Sequence, residues 1–237
     1  MADKNKNEVR GVNKKGEIVQ LPDCIIESLL DIADDGAGIS SCAIDGEIIA
    51  ETLYAFDILN FKGKDIRGLS CEQRLKVLES IFFGDNVEVV FTAYTKAQKQ
   101  KLYNDLRARN AEGIVFKLKE SKYTAGRPNS GGTQLKNKFQ KEASFIVRDW
   151  TKGKRSVGLE LIDRDNNDER VHMGKCTIPP NKEVPPIGAV VEVRYLYAYR
   201  GGKIFQPCYK EERNDVYPNE CLMTQIIYKA GEQEEED

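Results

Sequence analysis

After Phe145 the sequence loses its helical patterns, and only short strand-like runs continue toward the C-terminus. Apolar residues recur at helical spacing in upstream segments such as IIESLLDIA and KAQKQKLYNDLRARN, with strand-like runs between them. The downstream part instead contains the runs SFIVRDW, SVGLELIDR, VHMGKCTI, AVVEVRYLYAYR and KIFQPCYK. Gly201 and Gly202 suit a hairpin turn between the last two runs. About five short strands in this part predict a small β-barrel of the OB-fold type that follows a mixed α+β domain.

Before Phe145 the pattern predicts an α+β order of helices and strands. Ser70 is expected to cap a helix, with Gln73 completing a capping box. Pro22 suits the first turn of another helix, because its missing N–H needs no partner there. The predicted elements are strands at Glu8–Val12 and Glu17–Leu21 around the turn Asn13–Gly16, a helix at Pro22–Ala33, strands at Ala43–Ala50 and Leu53–Leu59, a helix from Ser70 to Phe82, a strand at Val87–Phe91, a helix at Thr95–Asn110 and a strand at Gly113–Leu118.

Two lysines near the end of the segment Ala111–Lys138 are expected to lie on one face of a strand. Successive side chains of a strand point to opposite faces, so Lys136 and Lys138 of the run KNK point the same way. Two ammonium groups side by side repel each other unless an anion lies near them, and a phosphate is the usual candidate. Glu112 opens the run EGIVFK and offers a carboxylate for a divalent cation, which together with the lysines predicts a site for a nucleoside triphosphate. The alternative is that both lysines lie on the solvent-exposed face of an edge strand, where lysines discourage aggregation.

The charge of the chain is unevenly distributed along its length. The formal net charge of the 237 residues is −2, and the last seven residues, GEQEEED, contain five acids. Between Lys96 and Arg155 there are 16 Lys and Arg residues against 5 Asp and Glu residues, a net charge of +11. This excess predicts contacts with a phosphate backbone, for which solvated helix faces are the alternative explanation. The acidic tail at 231–237 is predicted to be disordered.

Composition argues against several classes of protein. No run approaches the ~18 apolar residues that a membrane helix needs, and MADKNKNEVR lacks the apolar core of a secretory signal. The six cysteines are scattered without a Cys-x-x-Cys pair, which argues against a zinc site or a disulfide framework and suits a reducing cytoplasm. His172 is the only histidine, so a histidine-based triad is not expected, and we predict that this residue lies at the surface.

Four short motifs occur in an order that points to one enzyme family. They are DGE at 45–47, YAFDIL at 54–59, EGIVFK at 112–117 and KNK at 136–138. With the strand-rich tail behind them, they closely resemble the ATP-dependent DNA ligases, members of the covalent nucleotidyltransferases, from about Glu8 to Tyr228. The resemblance implies an antiparallel-sheet, ATP-grasp-like nucleotidyltransferase (adenylation) domain at 1–142 and an OB-fold domain at 143–230. It also implies ATP and Mg²⁺ as cofactors and nicked double-stranded DNA as the partner.

The resemblance assigns roles to residues around the nucleotide. It implies that Phe56 stacks on the adenine ring, with a buried core position as the alternative. Glu47 would hold the ribose hydroxyl or the metal, with a hairpin turn as the alternative for the DGE run, and Lys117 would contact the nucleotide. Glu112 would bind the catalytic Mg²⁺, directly or through water, because this ion takes few carboxylates and keeps several waters.

Other positions are assigned to phosphate and to DNA. The resemblance implies that Lys136 and Lys138 neutralise the α-phosphate as charge develops during transfer. Lys122 and Arg127 of the loop SKYTAGR are assigned to DNA, with solvent exposure as the alternative for Arg127. Asp57 is interpreted as a structural residue.

Two departures from the family pattern concern the nucleophile and the C-terminal part. The family carries a Lys-x-Asp-Gly motif whose lysine accepts AMP, and no such motif occurs in this sequence. The chain is therefore expected to begin just after that motif, as a fragment, a wrongly assigned start or one part of a split gene would. Arg213 and Asp215 stand in the place of an Arg-x-Asp-Lys motif, but Val216 replaces the lysine.

The expected function is that of an ATP-dependent DNA ligase that seals nicks in replication, repair and recombination. Because the lysine nucleophile carries AMP in the first step, this chain is expected to manage only the final step, in which the 3′-hydroxyl displaces AMP. An RNA ligase, a capping-type nucleotidyltransferase and a non-catalytic protein that binds nicked DNA are the alternatives. We expect a cytoplasmic monomer of bacterial, viral or phage origin.

Overall fold

The computed structural model describes residues 2–3, 8–34, 37–38, 40–126 and 132–229. By internal contacts the chain divides into an N-terminal unit of residues 1–94 with 115–135 and a C-terminal unit of residues 95–114 with 136–237. The predicted acidic tail lies outside the described residues. The division into domains at 142/143 stays a prediction.

Strands dominate the described part of the chain. In chain order the elements are β1 (Ala2–Asp3), β2 (Glu8–Val9), β3 (Gly11–Val12), β4 (Ile18–Val19), α1 (Asp23–Leu30), β5 (Ala33–Asp34), β6 (Ala37–Gly38), β7 (Ser41–Ile49), β8 (Thr52–Phe61), β9 (Lys64–Asp65), α2 (Cys71–Glu79), β10 (Val87–Val89), α3 (Lys96–Ala108), β11 (Gly113–Lys117), β12 (Gln134–Lys138), β13 (Lys141–Trp150), β14 (Ser156–Asp163), β15 (Glu169–Thr177), β16 (Val190–Tyr195) and β17 (Cys208–Glu212). Two short 3₁₀ turns follow at Pro218–Glu220 and Met223–Gln225. None of the helices described is long and apolar enough to cross a membrane.

The N-terminal unit is organised around a sheet with the order β10-β8-β7-β1-β2, to which β9 adds by pairing with β8. β7 and β8 form its antiparallel centre, and β10 runs parallel to β8. α1 and α2 contribute to the core of this unit, and its buried side chains are Ile25, Leu29, Ile32, Cys42, Ala55, Ile58, Leu78, Ile81 and Val87. Removing these apolar groups from water, at roughly 25 cal/mol per Å², is the main force that holds the helices to the sheet.

Two register shifts interrupt the pairing of β7 with β8, between Ala43 and Ile44 and between Asp45 and Gly46. Shifts of this kind re-aim the side chains that follow them. A Cβ atom on Gly46 would lie 2.7 Å from the carbonyl oxygen of Tyr54, so only glycine fits there without a shift of backbone. The DGE run therefore lies within a strand, and its interpretation as a hairpin turn is wrong.

Both longer helices begin with a capping box. The box predicted for α2 is confirmed, because the Gln73 N–H donates to Ser70 Oγ at 3.3 Å and the Ser70 N–H donates to Gln73 Oε1 at 3.0 Å. α3 begins in the same way with Thr95 and Gln98. Each box satisfies N–H groups that have no partner inside the helix, which is why these residue types mark the helix starts.

The predicted helices are shorter in the structure. α2 ends at Glu79 and not at Phe82: Ser80 is its C-cap, and the next N–H, that of Ile81, donates to the Leu78 carbonyl oxygen only three residues back. Pro22 is the N-cap of α1, so that helix begins one residue later than predicted, and Ala33 belongs to β5. Local hydrogen bonds at the ends thus set boundaries that apolar periodicity does not reveal.

The C-terminal unit is built on an antiparallel sheet with the order β15-β14-β13-β16-β17. β14 and β16 are buried along most of their length. α3 has no buried residue, and its Tyr103 ring meets the Phe139 ring edge-on, at 5.2 Å between centroids. The chain therefore has a mixed α/β architecture with antiparallel sheets and few helices, and OB-fold closure of this sheet stays a prediction.

The last two predicted strand runs are divided by a turn. β16 and β17 are shorter than their runs, and between them Tyr199 N–H donates to the Lys203 carbonyl oxygen at 2.8 Å, which confirms the hairpin turn at Gly201 and Gly202. Gly202 has φ +88°, a conformation that favours glycine. His172 was expected at the surface, but it is half-buried, and its Nδ1 is buried without a hydrogen-bond partner among the described residues.

Candidate functional site

Lys117 and Phe56 lie together in the N-terminal unit. Lys117 Nζ donates to the carbonyl oxygen of Phe56 at 2.7 Å and lies 5.1 Å from the centroid of the Phe56 ring. The lysine side chain is 18% exposed, and its Nζ is 3.9 Å from Asp57 Oδ2. A carbonyl oxygen, a ring face and a carboxylate therefore hold one ammonium group in place. The structure brings together two residues that were predicted at the nucleotide, and the Phe56 ring is only half-buried.

A buried ion pair holds Asp57. Arg74 Nε and Nη2 donate to the two oxygens of this carboxylate at 2.8 and 2.9 Å, and only 1% of the arginine side chain is exposed. Arg74 Nη1 donates to the carbonyl oxygens of Leu69 and Ser121, at 2.7 and 3.3 Å. The buried charges are thus paired and hydrogen-bonded, as their removal from water requires. This geometry agrees with the interpretation of Asp57 as a structural residue.

Sequence reasoning missed Arg74, although a signal was present. The buried residues of α2 are Cys71, Arg74, Leu75 and Leu78, which follow the i, i+3, i+4, i+7 spacing of one helix face. A cation within such an apolar stripe needs a buried acid as its partner. Asp57 is such an acid, because it is the one charged residue in the otherwise apolar strand run YAFDIL.

Asp45 and Tyr123 form another polar contact that sequence reasoning did not assign. The Tyr123 hydroxyl donates to Asp45 Oδ2 at 3.1 Å. Burial raises the pKa of Asp45 and the nearby Asp57 carboxylate raises it further, whereas the Tyr123 hydrogen bond and the Lys117 charge lower it. Burial also raises the pKa of Tyr123. We call the set formed by these contacts the N-terminal polar cluster: Asp45, Phe56, Asp57, Arg74, Lys117 and Tyr123.

Glu47 and Lys122, also predicted for this unit, take no part in the described contacts of that cluster. Glu47 is exposed on β7 opposite Tyr54, and its side chain makes no polar contact with the described residues. Lys122 is also exposed, and Arg127 lies outside the described residues. The roles assigned to Glu47 at the ribose or metal, and to Lys122 and Arg127 at DNA, stay predictions.

In the C-terminal unit Glu112 and Lys138 form an ion pair. Lys138 Nζ lies 3.0 Å from Glu112 Oε1 and 3.1 Å from Gln206 Oε1. The Glu112 side chain is 55% exposed, so the pair is open to solvent. Gln206, which the sequence did not indicate, has a left-handed backbone with φ 54°. We call Glu112, Lys138 and Gln206 the C-terminal polar cluster.

The backbone around β11 and β12 explains why Glu112 lies beside Lys138. Phe139 N–H donates to the Glu112 carbonyl oxygen at 2.9 Å. A Cβ atom on Gly113 would lie 2.3 Å from a carbonyl oxygen of the facing strand, so the glycine of EGIVFK permits this close approach. Lys136 is exposed and makes no polar contact with the described residues. The two lysines share a strand but differ in environment.

A magnesium ion would find few preformed protein ligands. The described residues contain no group of three or more His, Cys, Asp or Glu side chains that could hold a metal ion. Glu112 has one oxygen bonded to Lys138, and its other oxygen has no partner among the described residues. Because Mg²⁺ uses one or two carboxylates and completes its shell with water and substrate phosphates, this donor fits an ion that arrives with a nucleotide.

Arg213 and Asp215 satisfy each other within the C-terminal unit. Arg213 Nε and Nη2 donate to the two Asp215 oxygens, each at 2.7 Å, and Nη1 donates to Glu192. The guanidinium lowers the pKa of Asp215 to about 2, and both carboxylates raise the pKa of Arg213. Val216 packs against the core of the unit. In the segment that departs from Arg-x-Asp-Lys, Arg213 is therefore bonded to two carboxylates, and Val216, in place of the lysine, makes an apolar contact.

Comparisons with known sequences identify the central part of the chain. Residues 47–138 match the family model described as the ATP dependent DNA ligase domain. A Probable DNA ligase from Dictyoglomus turgidum is 33% identical over 97 residues, which are 40% of this chain and 17% of that protein. A Probable DNA ligase from Beutenbergia cavernae is 27% identical over 127 residues, 52% of this chain and 25% of that protein. The matched segments thus span a quarter or less of these relatives, and the resemblance to ATP-dependent DNA ligases is confirmed.

Two solved structures share the fold. One, described as Pmar-Lig_Pre, aligns with a TM-score of 0.64 over 88% of this chain and 59% of its own length, at 15% identity. Another comes from a structure–function analysis of Lig E DNA ligases and aligns with a TM-score of 0.55 over 85% of both chains, at 16% identity. At these identities the likeness concerns the fold alone.

Proposed function

Residues 47–138 belong to the ATP dependent DNA ligase domain family, and from this premise we propose that the chain seals nicks in duplex DNA whose 5′ end already carries AMP. The observation that carries this proposal is the solvent-open ion pair of Glu112 and Lys138, which lies within two of the family motifs. An exposed ion pair has little net stability. Its two partners are therefore available to a phosphate and a metal ion.

The proposed step is a displacement at phosphorus. The oxygen of the 3′-hydroxyl forms a bond to the adenylated 5′-phosphate, the bond between that phosphate and AMP breaks, AMP leaves, and the hydroxyl proton passes to water. Lys138 and Lys136 supply positive charge to the phosphate oxygens as negative charge develops there. A Mg²⁺ ion held through Glu112 would neutralise further phosphate charge.

Phe56 and Lys117 are proposed to hold the adenylate, with ATP as the cofactor of the complete reaction. The Phe56 ring offers a flat face to adenine. Lys117 is already held by a carbonyl oxygen and by Asp57, so little side-chain entropy is lost when it meets the nucleotide. Glu47 at the ribose or metal and Lys122 and Arg127 at nicked DNA complete the proposal, with the C-terminal sheet closing as an OB-fold.

A non-catalytic protein that binds nicked DNA is the second candidate. The observation in its favour is that the 237 residues contain no Lys-x-Asp-Gly run. Such a protein would use the same lysines to bind DNA but would not complete the displacement.

Gel-based sealing of a pre-adenylated nick tests the two candidates against each other. With Mg²⁺ the chain should seal this DNA, and with ATP alone it should form no protein–AMP adduct that survives denaturation. The Lys14→Ala variant, in an exposed turn of the N-terminal unit, should seal as well as the unaltered chain. Tight binding without sealing would favour the non-catalytic candidate, sealing of nicked RNA in place of DNA would favour an RNA ligase, and a stable AMP adduct would contradict the proposed restriction to the final step.

A further inference from the structure

A hairpin of the C-terminal unit presents three aromatic side chains on one face. Ala198 pairs with Ile204 in an antiparallel bridge, and both side chains are buried in the core of the unit. Neighbouring residues along an extended strand point to opposite faces. Tyr197, Tyr199 and Phe205 therefore lie on the face that points away from the core.

The three rings contact one another as a continuous group, which we call the aromatic face. Tyr197 and Phe205 are stacked, with centroids 5.0 Å apart and an interplanar angle of 15°. The Tyr199 ring meets both of them edge-on, at 5.4 and 6.0 Å. Tyr199 is 36% exposed and the other two are half-buried. Because the core lies on the opposite side of the hairpin, these rings are not needed to fill it.

Cationic side chains border the aromatic face. Lys229 Nζ lies 5.9 Å from the centroid of the Tyr199 ring. Lys203 is exposed and lies opposite Tyr199 across the hairpin. Arg200, at the turn, lies 5.0 Å from the centroid of the Tyr228 ring. The positive charges of Lys203 and Lys229 beside this group of rings complement a polyanion that carries flat apolar groups.

The backbone holds this surface in place. Phe205 N–H donates to the Tyr197 carbonyl oxygen at 2.7 Å. A Cβ atom on Gly202 would lie 3.0 Å from the His172 carbonyl oxygen, so the turn packs closely against β15. A surface that is ordered before binding loses less entropy when a ligand arrives.

We propose that the aromatic face binds a DNA strand with unstacked bases, as occurs at a frayed or single-stranded end. Bases stack on Tyr199 and Phe205, and the phosphates pass Lys203 and Lys229. Every base has a flat face, so this mode of binding tolerates any sequence. The inference rests on the proposed function and deepens it, because it names the surface and the form of DNA that this surface recognises.

Fluorescence anisotropy with labelled oligo-dT and with a labelled nicked duplex tests the proposal on the full chain. Tyr199→Ala should weaken binding of oligo-dT roughly tenfold, because it removes one stacking ring, whereas Tyr199→Phe should bind like the unaltered chain. Lys229→Ala should lower the slope of log affinity against log salt by ~0.7, the value for one phosphate contact on a single strand. Tyr217→Ala is the matched control, because this ring is 74% exposed in the same unit but lies outside the aromatic face.

The possible outcomes separate this proposal from the proposed function. A chain that binds neither DNA contradicts both. A chain that binds the nicked duplex but ignores oligo-dT, or whose affinity for oligo-dT is unchanged in Tyr199→Ala, overturns the aromatic face alone. Ultraviolet crosslinking of oligo-dT to the unaltered chain, followed by peptide mapping, does not depend on the folding of any variant. Crosslinks are expected within residues 197–205, and crosslinks found only elsewhere would refute the proposal.

Discussion

The two polar clusters of this protein place similar charges in opposite environments. In the N-terminal polar cluster, Arg74 and Asp57 share two hydrogen bonds and are almost fully buried. In the C-terminal polar cluster, Lys138 and Glu112 share one hydrogen bond and both reach solvent. Breaking a buried pair leaves a charge without a partner in a medium of low dielectric constant, whereas an exposed pair is screened by water and salt. The buried pair of the first cluster is therefore suited to holding the fold, and the exposed pair of the second to exchanging its partners for a ligand.

The largest expected effect is on stability and tests the buried pair. Arg74→Ala should lower the free energy of unfolding by ~3–5 kcal/mol, because Asp57 stays buried without its two hydrogen bonds from the guanidinium. The free energy of unfolding of Arg74→Lys should lie between those of the unaltered chain and Arg74→Ala, since a lysine keeps the charge but cannot make the two parallel hydrogen bonds. Urea denaturation followed by circular dichroism measures the difference. The comparison between the clusters fails if Lys138→Ala, expected to cost less than ~1 kcal/mol, destabilises the chain as much as Arg74→Ala.

The next effect is on rate and tests the exposed pair. Lys138→Ala should slow the sealing of pre-adenylated nicks by ~10²–10³, because a charge directed at the reacting phosphate is lost. The free energy of unfolding should stay nearly unchanged in the same variant. Single-turnover rates on denaturing gels measure the first quantity and urea denaturation the second. An unchanged rate would show that the C-terminal polar cluster does not act on the reacting phosphate.

A smaller effect concerns pH and contrasts one carboxylate from each unit. The folded-state pKa of Asp45 is raised above 3.8, so the folded chain binds more protons than the unfolded chain, and the contribution of Asp45 to stability falls as pH rises through that pKa. Asp45→Asn should therefore gain stability relative to the unaltered chain at neutral pH and lose this advantage close to 3.8. Asp215, whose pKa is lowered to about 2, has the opposite sign, because its contribution is present above 3.8 and is lost as pH falls toward 2.

Urea titrations across this pH range measure both contributions. Asp215→Asn is the matched variant, since its carboxylate is paired with Arg213 at the surface and these hydrogen bonds have a larger effect on its pKa than desolvation has. If Asp45→Asn and Asp215→Asn shifted stability with pH in the same direction, the assignment of Asp45 as a carboxylate desolvated by burial would be wrong.

The smallest effect concerns exposed lysines without a described partner. Lys122→Ala and Lys136→Ala should each lower the slope of log affinity for nicked duplex against log salt by ~0.9, the value for one phosphate contact. Stability should change by less than ~0.5 kcal/mol. The loss should be the same for every DNA sequence, because phosphate contacts carry no base information. Lys14→Ala serves as the control, and an equal change of slope in that variant would remove any special role of the other two lysines.

Much of the local structure follows from residues that are close in sequence. Ser70 and Gln73 cap α2 as predicted, and Gly201 with Gly202 forms the predicted turn, because each feature depends on hydrogen bonds over a few positions. The places of Lys117 and Phe56 at the nucleotide were only implied by the family resemblance, and their contact with each other was not predicted. Element ends were predicted less well: α2 was predicted to reach Phe82, whereas it ends at Glu79 and the Ile81 N–H already donates three residues back, to the Leu78 carbonyl oxygen.

The sequence by itself determined the strand-rich C-terminal part, the helix starts and the resemblance of residues 47–138 to ATP-dependent DNA ligases, because periodicity, caps and motifs are local signals. Only the tertiary structure decided which polar side chains meet. Arg74 reaches Asp57 across 17 positions, Gln206 reaches Lys138 across 68, and Tyr123 reaches Asp45 across 78. Such contacts depend on how helices and strands pack and on where register shifts re-aim side chains, and neither is encoded within a single element.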